Sequence, residues 1–173
     1  MTKAEVKTKE NMRQLVIFKL SGEEYGCDID RVKEVLKMVK ITPLPETLDF
    51  IEGVINLRGE VIPVLDLRKR IGLEKEQSFD NSSIVIVETA KNTAGLIVDS
   101  VTEVLNIEEK NVHESTGEQG GKKAKLIEGV GKADERLLLI LNLNEVITPE
   151  AQAGFKEIKT VLDEAVDEAT NVA

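Results

Sequence analysis

Short apolar runs rich in β-branched residues alternate with polar, turn-forming stretches along most of the chain. Residues 15–18 and 83–87 are two such runs, and each is followed by a turn sequence and a second apolar run. Runs of this length and composition are typical of β-strands. The second run of each pair crosses Gly26 or Gly95, where we expect a bulge or a close approach of another backbone. The pattern predicts a mostly β protein.

Residues 53–67 predict a β-hairpin, because two apolar runs flank the polar tip at 58–60. Pro63 lies in the second run. Since proline has no backbone N–H to donate, it predicts an edge or bulged position for this strand.

The segments 32–36 and 101–105 share the spacing Val-x-x-Val-Leu. This spacing fits one turn of helix or a further strand, and five residues are too few to decide between them. A short helix is predicted at 66–71.

The chain also repeats itself. Residues 15–36 return 69 positions later as residues 84–105, with eight identities in 22 positions and no gap. Residues 48–71 return 76 positions later as residues 124–147. The second copy therefore carries seven extra residues, which fall within 115–125. A duplicated unit predicts two similar halves that meet at a seam.

The repeat defines the expected architecture. Five strand-like pieces per copy predict an all-β fold with minor helices, built from two small five-stranded barrels of OB- or SH3-like character. Repeat one is expected at 12–75 and repeat two at 81–147.

The two ends of the chain are expected to differ from the barrels. Residues 1–11 are expected to be flexible. Residues 149–168 predict an amphipathic C-terminal helix packed on the barrels, because a capping threonine and a proline precede apolar residues at helical spacing.

Composition narrows the class of protein. The net charge is −9 and aromatic residues make up 3% of the chain, which argues against a nucleic-acid partner. No run of 18 apolar residues is present, so we expect a cytoplasmic protein without direct membrane insertion. Cys27 is expected to be a small buried hydrophobe.

Few residues offer catalytic or metal-binding chemistry. His113 is the single histidine and lies in a polar stretch, where it is expected to be a surface residue. Metal sites and nucleophile–base pairs need several such groups together. The glycine-rich segment 117–121 lacks the strand and helix context of a phosphate-binding loop and is expected to be a flexible insertion. We therefore expect no enzyme activity, no metal and no cofactor.

The hairpin tip at Arg58 and Gly59 allows two interpretations. It is either an ordinary turn, with glycine supplying a positive φ, or a functional contact. Repeat two keeps the flanking strands but replaces the tip by residues 132–136. Because the duplicated fold tolerates the loss of the tip, the tip is a candidate for function.

At this point the sequence resembles a known family. Residues 51–67, which read IEGVINLRGEVIPVLDL, together with 25–29 and 32–35, closely resemble CheW, the bacterial chemotaxis coupling proteins. The resemblance covers about residues 12–150. It implies two five-stranded subdomains and a non-catalytic adaptor that links the histidine kinase CheA, through its regulatory domain, to chemoreceptor tips. It implies recruitment to membrane-bound receptor arrays, and it leaves open whether the chain forms rings with itself or with the kinase.

The resemblance also implies two contact sites. Arg58 and Gly59 match the family's kinase or array contact. For the valines, a place in the core is equally compatible with the sequence, whereas Glu34 is a charge between apolar neighbours. The expected receptor-binding groove comprises Val32, Glu34, Ile84, Gly95, Val101 and Val104.

Other functions compete with the stand-alone adaptor. A regulatory fragment of the kinase, or a piece of a fusion with a receiver domain, would share the same signature. A small-molecule-binding barrel would need a polar pocket that neither repeat supplies in its sequence.

Overall fold

The computed structural model describes residues 11–45, 48–73, 79–114 and 122–147. The predicted C-terminal helix, residues 1–10 and the glycine-rich segment lie outside these ranges. The strands and helices are β1 Met12–Leu20, β2 Glu23–Asp28, β3 Val32–Lys37, β4 Ile51–Leu57, β5 Glu60–Asp66, α1 Leu67–Ile71, β6 Ser83–Glu88, β7 Thr93–Val98, β8 Ser100–Glu108, β9 Val112–Glu114, β10 Ile127–Ala133, β11 Arg136–Leu141 and α2 Leu143–Val146. Three 3-10 turns lie at Ile29–Arg31, Glu109–Asn111 and Lys122–Leu126.

The strands form two sheets. A six-stranded sheet has the order β8-β1-β2-β11-β10-β9, and a five-stranded sheet has the order β3-β6-β7-β5-β4. The predicted all-β fold with minor helices and two sheet-based halves is confirmed. Within the described residues, no ladder joins the outer strands of either sheet, so the expected closure of the barrels is not seen as strand pairing.

The two sheets do not coincide with the two sequence repeats. The β1–β2 hairpin of repeat one joins β8–β11 of repeat two, and the β6–β7 hairpin of repeat two joins β3–β5 of repeat one. Each join has an antiparallel ladder on one side, β1 with β8 or β3 with β6. On the other side it has a short parallel ladder, between β2 and β11 at Tyr25 and Leu139 or between β5 and β7 at Val64 and Gly95. Each half of the molecule is therefore built from both copies.

Each sheet also curls, because the chain leaving one outer strand returns to the opposite edge. After β3, Thr42 pairs with Val54 of β4 through two backbone hydrogen bonds of 2.9 Å. After β8, β9 pairs with β10 in the corresponding way. The two halves thus share one architecture, in which the edge of β4 or β10 is covered by the chain itself.

Apolar residues pack in three main layers. A central cluster fills the space between the sheets and includes Phe18, Cys27 and Val85, all with no exposed surface. Two smaller clusters fill the inside of each curled sheet, around Ile84 in the five-stranded sheet and around Leu15 in the six-stranded sheet. The predicted burial of Cys27 is confirmed, and desolvation by burial raises the pKa of its thiol to about 12.

The structure decides two local questions that the sequence left open. Residues 32–36 and 101–105 lie in strands β3 and β8, not in helical turns. The predicted short helix forms at α1, with the Asp66 carboxylate accepting a hydrogen bond from the backbone N–H of Arg68 at its start.

Of the two positions expected for Pro63, the edge strand is wrong, because β5 lies between β4 and β7. The bulge of this ladder lies on the partner strand β4, between Ile51 and Gly53. The backbone groups of Val54, opposite Pro63, point away toward Thr42, so this pair needs no N–H from proline. The ladder to β7 begins only at Val64, one residue later. The missing donor is therefore tolerated inside the sheet.

Candidate functional site

The tip of the β4–β5 hairpin is a two-residue turn with Arg58 at φ 50° and Gly59 at φ 86°. Two positive φ values in sequence are the mark of a type I′ turn, which matches the twist of the flanking strands. The Asn56 side-chain oxygen accepts a hydrogen bond of 2.9 Å from the N–H of Gly59 and fixes the turn. This rigid tip presents the Arg58 side chain, which is 73% exposed.

Arg58 grips Glu34 of the neighbouring edge strand β3. Its Nη1 donates to Glu34 Oε2 at 2.9 Å and its Nη2 donates to Glu34 Oε1 at 3.2 Å, a two-pronged pairing that matches the planar shapes of both groups. The hydrogen bonds that Arg58 donates to the Glu34 carboxylate raise the pKa of Arg58. From the sequence, Arg58 is expected at a kinase or array contact and Glu34 in the receptor groove. In the structure the two side chains form one ion pair.

The second half of the molecule holds a corresponding pair that the sequence analysis missed. Arg136, at the start of β11, donates to Glu103 of β8 at 3.0 Å and makes a two-pronged pairing with Glu24 at 2.8 and 3.0 Å. The hydrogen bonds from Arg136 lower the pKa of Glu24. Glu103 is the repeat partner of Glu34, 69 positions later, so the identity of these two glutamates in the repeat was the signal available in the sequence.

Two half-exposed valines lie on the outer strands β3 and β8 of the two sheets, and we call these two sheet edges the seam. Val35 on β3 is 43% exposed and pairs with Val85, while Val104 on β8 is 54% exposed and pairs with Val16. Side chains of directly paired residues share one face of a sheet. Because Val85 and Val16 belong to the central cluster, Val35 and Val104 lie on the seam-facing side of their strands.

The predicted groove residues differ in how much of their surface is exposed. Val32 and Val101 are partly buried against the central cluster, at the points where the chain enters β3 and β8. Glu34 and Val104 offer surface at the edge strands. Val35, the repeat partner of Val104, is not among the predicted groove residues, because its sequence context is that of any other strand valine.

The assignment of Ile84 and Gly95 to the groove surface is corrected. Ile84 has no exposed surface and packs inside the five-stranded sheet. Gly95 is buried beside it, and a methyl group added at Gly95 would lie 2.8 Å from the Ile84 side chain. Both residues shape the sheet beneath β3 and have no surface to offer a partner.

A buried ion network ties the two sheets together at the β7–β8 crossover. The Arg68 guanidinium lies 3.4 Å from carboxylate oxygens of Asp66 and Asp99 and 5.0 Å from the centre of the Phe79 ring. Asp99 also accepts a hydrogen bond of 2.7 Å from the N–H of Ser21, in the β1–β2 turn. The network thereby joins α1, the crossover and the hairpin of the opposite sheet.

Within the described parts of the chain, no helix is long and apolar enough to cross a membrane. In the same residues, His, Cys, Asp and Glu side chains form no group of three or more that could hold a metal ion. His113 is exposed on β9, as predicted. The described residues thus place an exposed valine on the seam-facing side of each outer strand and, on the opposite side of the same strand, a glutamate that an arginine holds in place.

Comparison with known proteins finds relatives that match most of the chain. The profile described as CheW-like domain matches residues 14–151. The chain is 38% identical to the chemotaxis protein CheW of Bacillus subtilis (strain 168), over 86% of this chain and 93% of that protein. It is 35% identical to the chemotaxis protein CheW of Thermotoga maritima, over 78% of this chain and 87% of that protein.

A solved structure shares both sequence and fold. The crystal structure of the scaffolding protein TtCheW from Thermoanaerobacter tengcongensis superposes with a TM-score of 0.73 at 41% identity, covering 80% of this chain and 94% of that one. A family profile that spans most of the chain and relatives matched over nearly their whole length identify the family. The chain belongs to the CheW-like domain family.

Proposed function

We propose that this protein is a non-catalytic chemotaxis adaptor, which couples the tips of methyl-accepting chemoreceptors to the histidine kinase CheA in signalling arrays. The observation that carries the proposal is the match to chemotaxis CheW proteins over nearly their whole length. An adaptor needs separate surfaces for its partners and no reacting groups. The seam and the Arg58 tip are two such surfaces.

The receptor side of the proposal rests on the seam. A helical hairpin can lay an apolar stripe into a groove between two packed sheets, in the helix-in-groove mode of recognition. Val35 and Val104 are exposed apolar side chains on the two strands that border this groove. The neighbouring Glu34 and Glu103 pair with Ile86 and Ile17 and lie on the other side of these strands, so the valines carry the proposed receptor contact.

The kinase side of the proposal rests on the hairpin tip. Arg58 is exposed and stands on a rigid turn, and arginine is enriched among residues that dominate binding energy at interfaces. The regulatory domain of CheA is the proposed partner at this tip. Assembly of such contacts would recruit the protein to receptor arrays at the membrane.

Replacing both seam valines tests the receptor contact. We expect Val35→Ser/Val104→Ser to weaken binding of a chemoreceptor cytoplasmic hairpin by about tenfold or more, because two apolar contacts are lost. The free energy of unfolding should change by less than about 1 kcal/mol, since both side chains are half exposed. Calorimetric titration and urea unfolding measure the two effects.

The matched control is Leu48→Ser, which removes a side chain that is 46% exposed and lies outside the strands. It should bind the receptor hairpin like the unmodified protein. Equal loss of affinity in the control, or full affinity in the double variant, would remove the seam from the proposal.

Arg58→Ala tests the kinase contact. Since the Arg58–Glu34 pair is largely exposed, its loss should change the free energy of unfolding by no more than about 1 kcal/mol. Kinase activation by receptors should nevertheless fail in a reconstituted phosphorylation assay. Arg58→Lys should restore only part of the activity, because an ammonium group lacks the planar fork.

Arg136→Ala is the matched control, since it breaks the corresponding pair in the other half of the molecule. We expect it to keep most of the kinase activation. If Arg58→Ala couples receptors to the kinase at the full rate, or melts far earlier than the unmodified protein, Arg58 is not the functional contact.

A further inference from the structure

The two strands that border the seam carry opposite charge. Residues 32–40, the β3 segment, contain three lysines and one glutamate, whereas their repeat partners at 101–109, the β8 segment, contain three glutamates and no basic residue. The repeat aligns Lys37 with Asn106 and Lys40 with Glu109. Duplication has kept the valines and the arginine-bound glutamates while the remaining charges diverged.

The charges that differ are at the surface. Lys37 and Lys40 are exposed, as are Asn106 and Glu109 on the other side. Lys37 lies two residues from Val35 along β3, and Asn106 lies two residues from Val104 along β8, so each shares the seam-facing side of its strand. The charge difference between Lys37 and Asn106 therefore lies beside the two exposed valines, and the second difference, between Lys40 and Glu109, follows just beyond the ends of the two strands.

Internal ion pairs reduce this difference but do not remove it. On the β8 side, Lys110 lies 3.0 Å from Glu108, an exposed pair that partly neutralises this acid. Lys33 lies 3.8 Å from Glu88, with both side chains about half exposed, which is a weak and screened pair. The Glu34 carboxylate is neutralised by Arg58, whereas Arg136 is shared between Glu103 and Glu24, so the β8 side keeps part of its negative charge. The β3 segment therefore keeps a positive charge, in a chain whose net charge is −9.

We propose that the seam selects the rotation of its partner helix by charge. The inference rests on the proposed function and deepens it: the receptor helix lies with a row of carboxylates along the β3 segment and with neutral or basic residues along the β8 segment. The apolar stripe between these rows packs on Val35 and Val104. A helix rotated the other way would move its carboxylates away from the lysines of the β3 segment and place them beside the exposed Glu109.

The spacing fits a helix. Lys37 and Lys40 are three residues apart, at most about 10 Å in an extended chain. Helix positions seven residues apart rise by about 10.5 Å and positions four apart by about 6 Å. Lysine side chains are flexible, so carboxylates one or two turns apart on the partner can meet both. The chemistry expected of the partner is an amphipathic helix with acids on one flank of its apolar stripe.

An exchange of residues between the β3 segment and the β8 segment tests the inference. The variant Lys37→Asn/Asn106→Lys/Lys40→Glu/Glu109→Lys moves the basic border to the other side while composition and net charge stay the same. We expect it to bind a chemoreceptor cytoplasmic hairpin about fivefold to thirtyfold more weakly at low salt, the effect of losing two surface ion pairs. The difference should shrink toward about 1 M salt, where charges are screened within about 3 Å.

Two controls separate the inference from the proposed function. Lys91→Glu/Lys132→Glu changes exposed lysines away from the seam and should bind the receptor hairpin within twofold of the unmodified protein. Melting temperature and binding to the CheA regulatory domain should be the same for the exchange variant and the unmodified protein, which excludes misfolding as the cause.

The outcomes are distinct. If the unmodified protein does not bind the receptor hairpin at all, the proposed function fails and the inference with it. If it binds, and Val35→Ser/Val104→Ser weakens binding while the exchange variant does not, the seam is the receptor site and the charge inference alone is overturned. A loss of affinity in the exchange variant that is independent of salt also overturns it.

Discussion

Arg68→Ala is expected to lower the free energy of unfolding by about 3 kcal/mol or more. The guanidinium is 4% exposed, and its removal leaves the equally buried Asp66 carboxylate without this counter-charge. Breaking one member of a buried ion pair usually costs about 3–5 kcal/mol. A domain of this size should then melt about 6–12 °C earlier. Urea unfolding followed by circular dichroism measures the free energy directly.

Lys69→Ala provides the control for this prediction from the neighbouring residue. Lys69 pairs with Glu52 at 2.8 Å, but its side chain is 52% exposed. Surface pairs of this kind contribute about 1 kcal/mol or less. If both alanine variants lose similar stability, burial of the Arg68 network is not what holds the sheets together at the crossover.

Gly53→Ala is expected to have the second large effect, a loss of about 3 kcal/mol in the free energy of unfolding. Gly53 has φ +152°, and a methyl group there would overlap the backbone carbonyl of Thr42. A residue held in such a conformation costs about 1–3 kcal/mol, and forced overlap adds a similar amount. The two hydrogen bonds between Thr42 and Val54, which curl the five-stranded sheet, would be strained.

Two other glycines make the Gly53 test specific. Gly59 also has a positive φ but has no atom within 4 Å of an added methyl group, so Gly59→Ala should cost only about 1–2 kcal/mol of backbone strain. Gly129, the repeat partner of Gly53, would meet the His113 carbonyl at 2.8 Å, so Gly129→Ala should be intermediate. A Gly53→Ala protein as stable as the Gly59→Ala protein would show that close approach by Thr42 is unimportant.

The shared Ile-Glu-Gly-Val sequence of the two repeats now has a physical explanation. In each half, the chain that leaves an outer strand returns over this segment, at Thr42 in one half and at β9 in the other. A glycine lets the two backbones approach. The sequence showed that the motif recurs, but the approaching residues lie 11 to 16 positions away, in stretches without a recognisable pattern.

The candidate site was predicted in part. The Arg58 tip was predicted from local sequence, because a type I′ turn is specified by the few residues that form it. The pairing of Arg58 with Glu34 was not predicted. The two residues are 24 positions apart and meet only because β3 and the hairpin curl toward each other. The same holds for Arg136 and Glu103, 33 positions apart.

By itself, the sequence determined the strands, the hairpins, the duplication and the resemblance to the coupling-protein family. These depend on side-chain periodicity, on turn residues and on motifs, all of which are local. The tertiary structure alone decided that the repeats exchange hairpins between sheets and that Ile84 lies in the core while Val35 lies at the surface. Both outcomes depend on ladders such as that between Tyr25 and Leu139, whose strands are more than 100 residues apart and whose pairing no local pattern encodes.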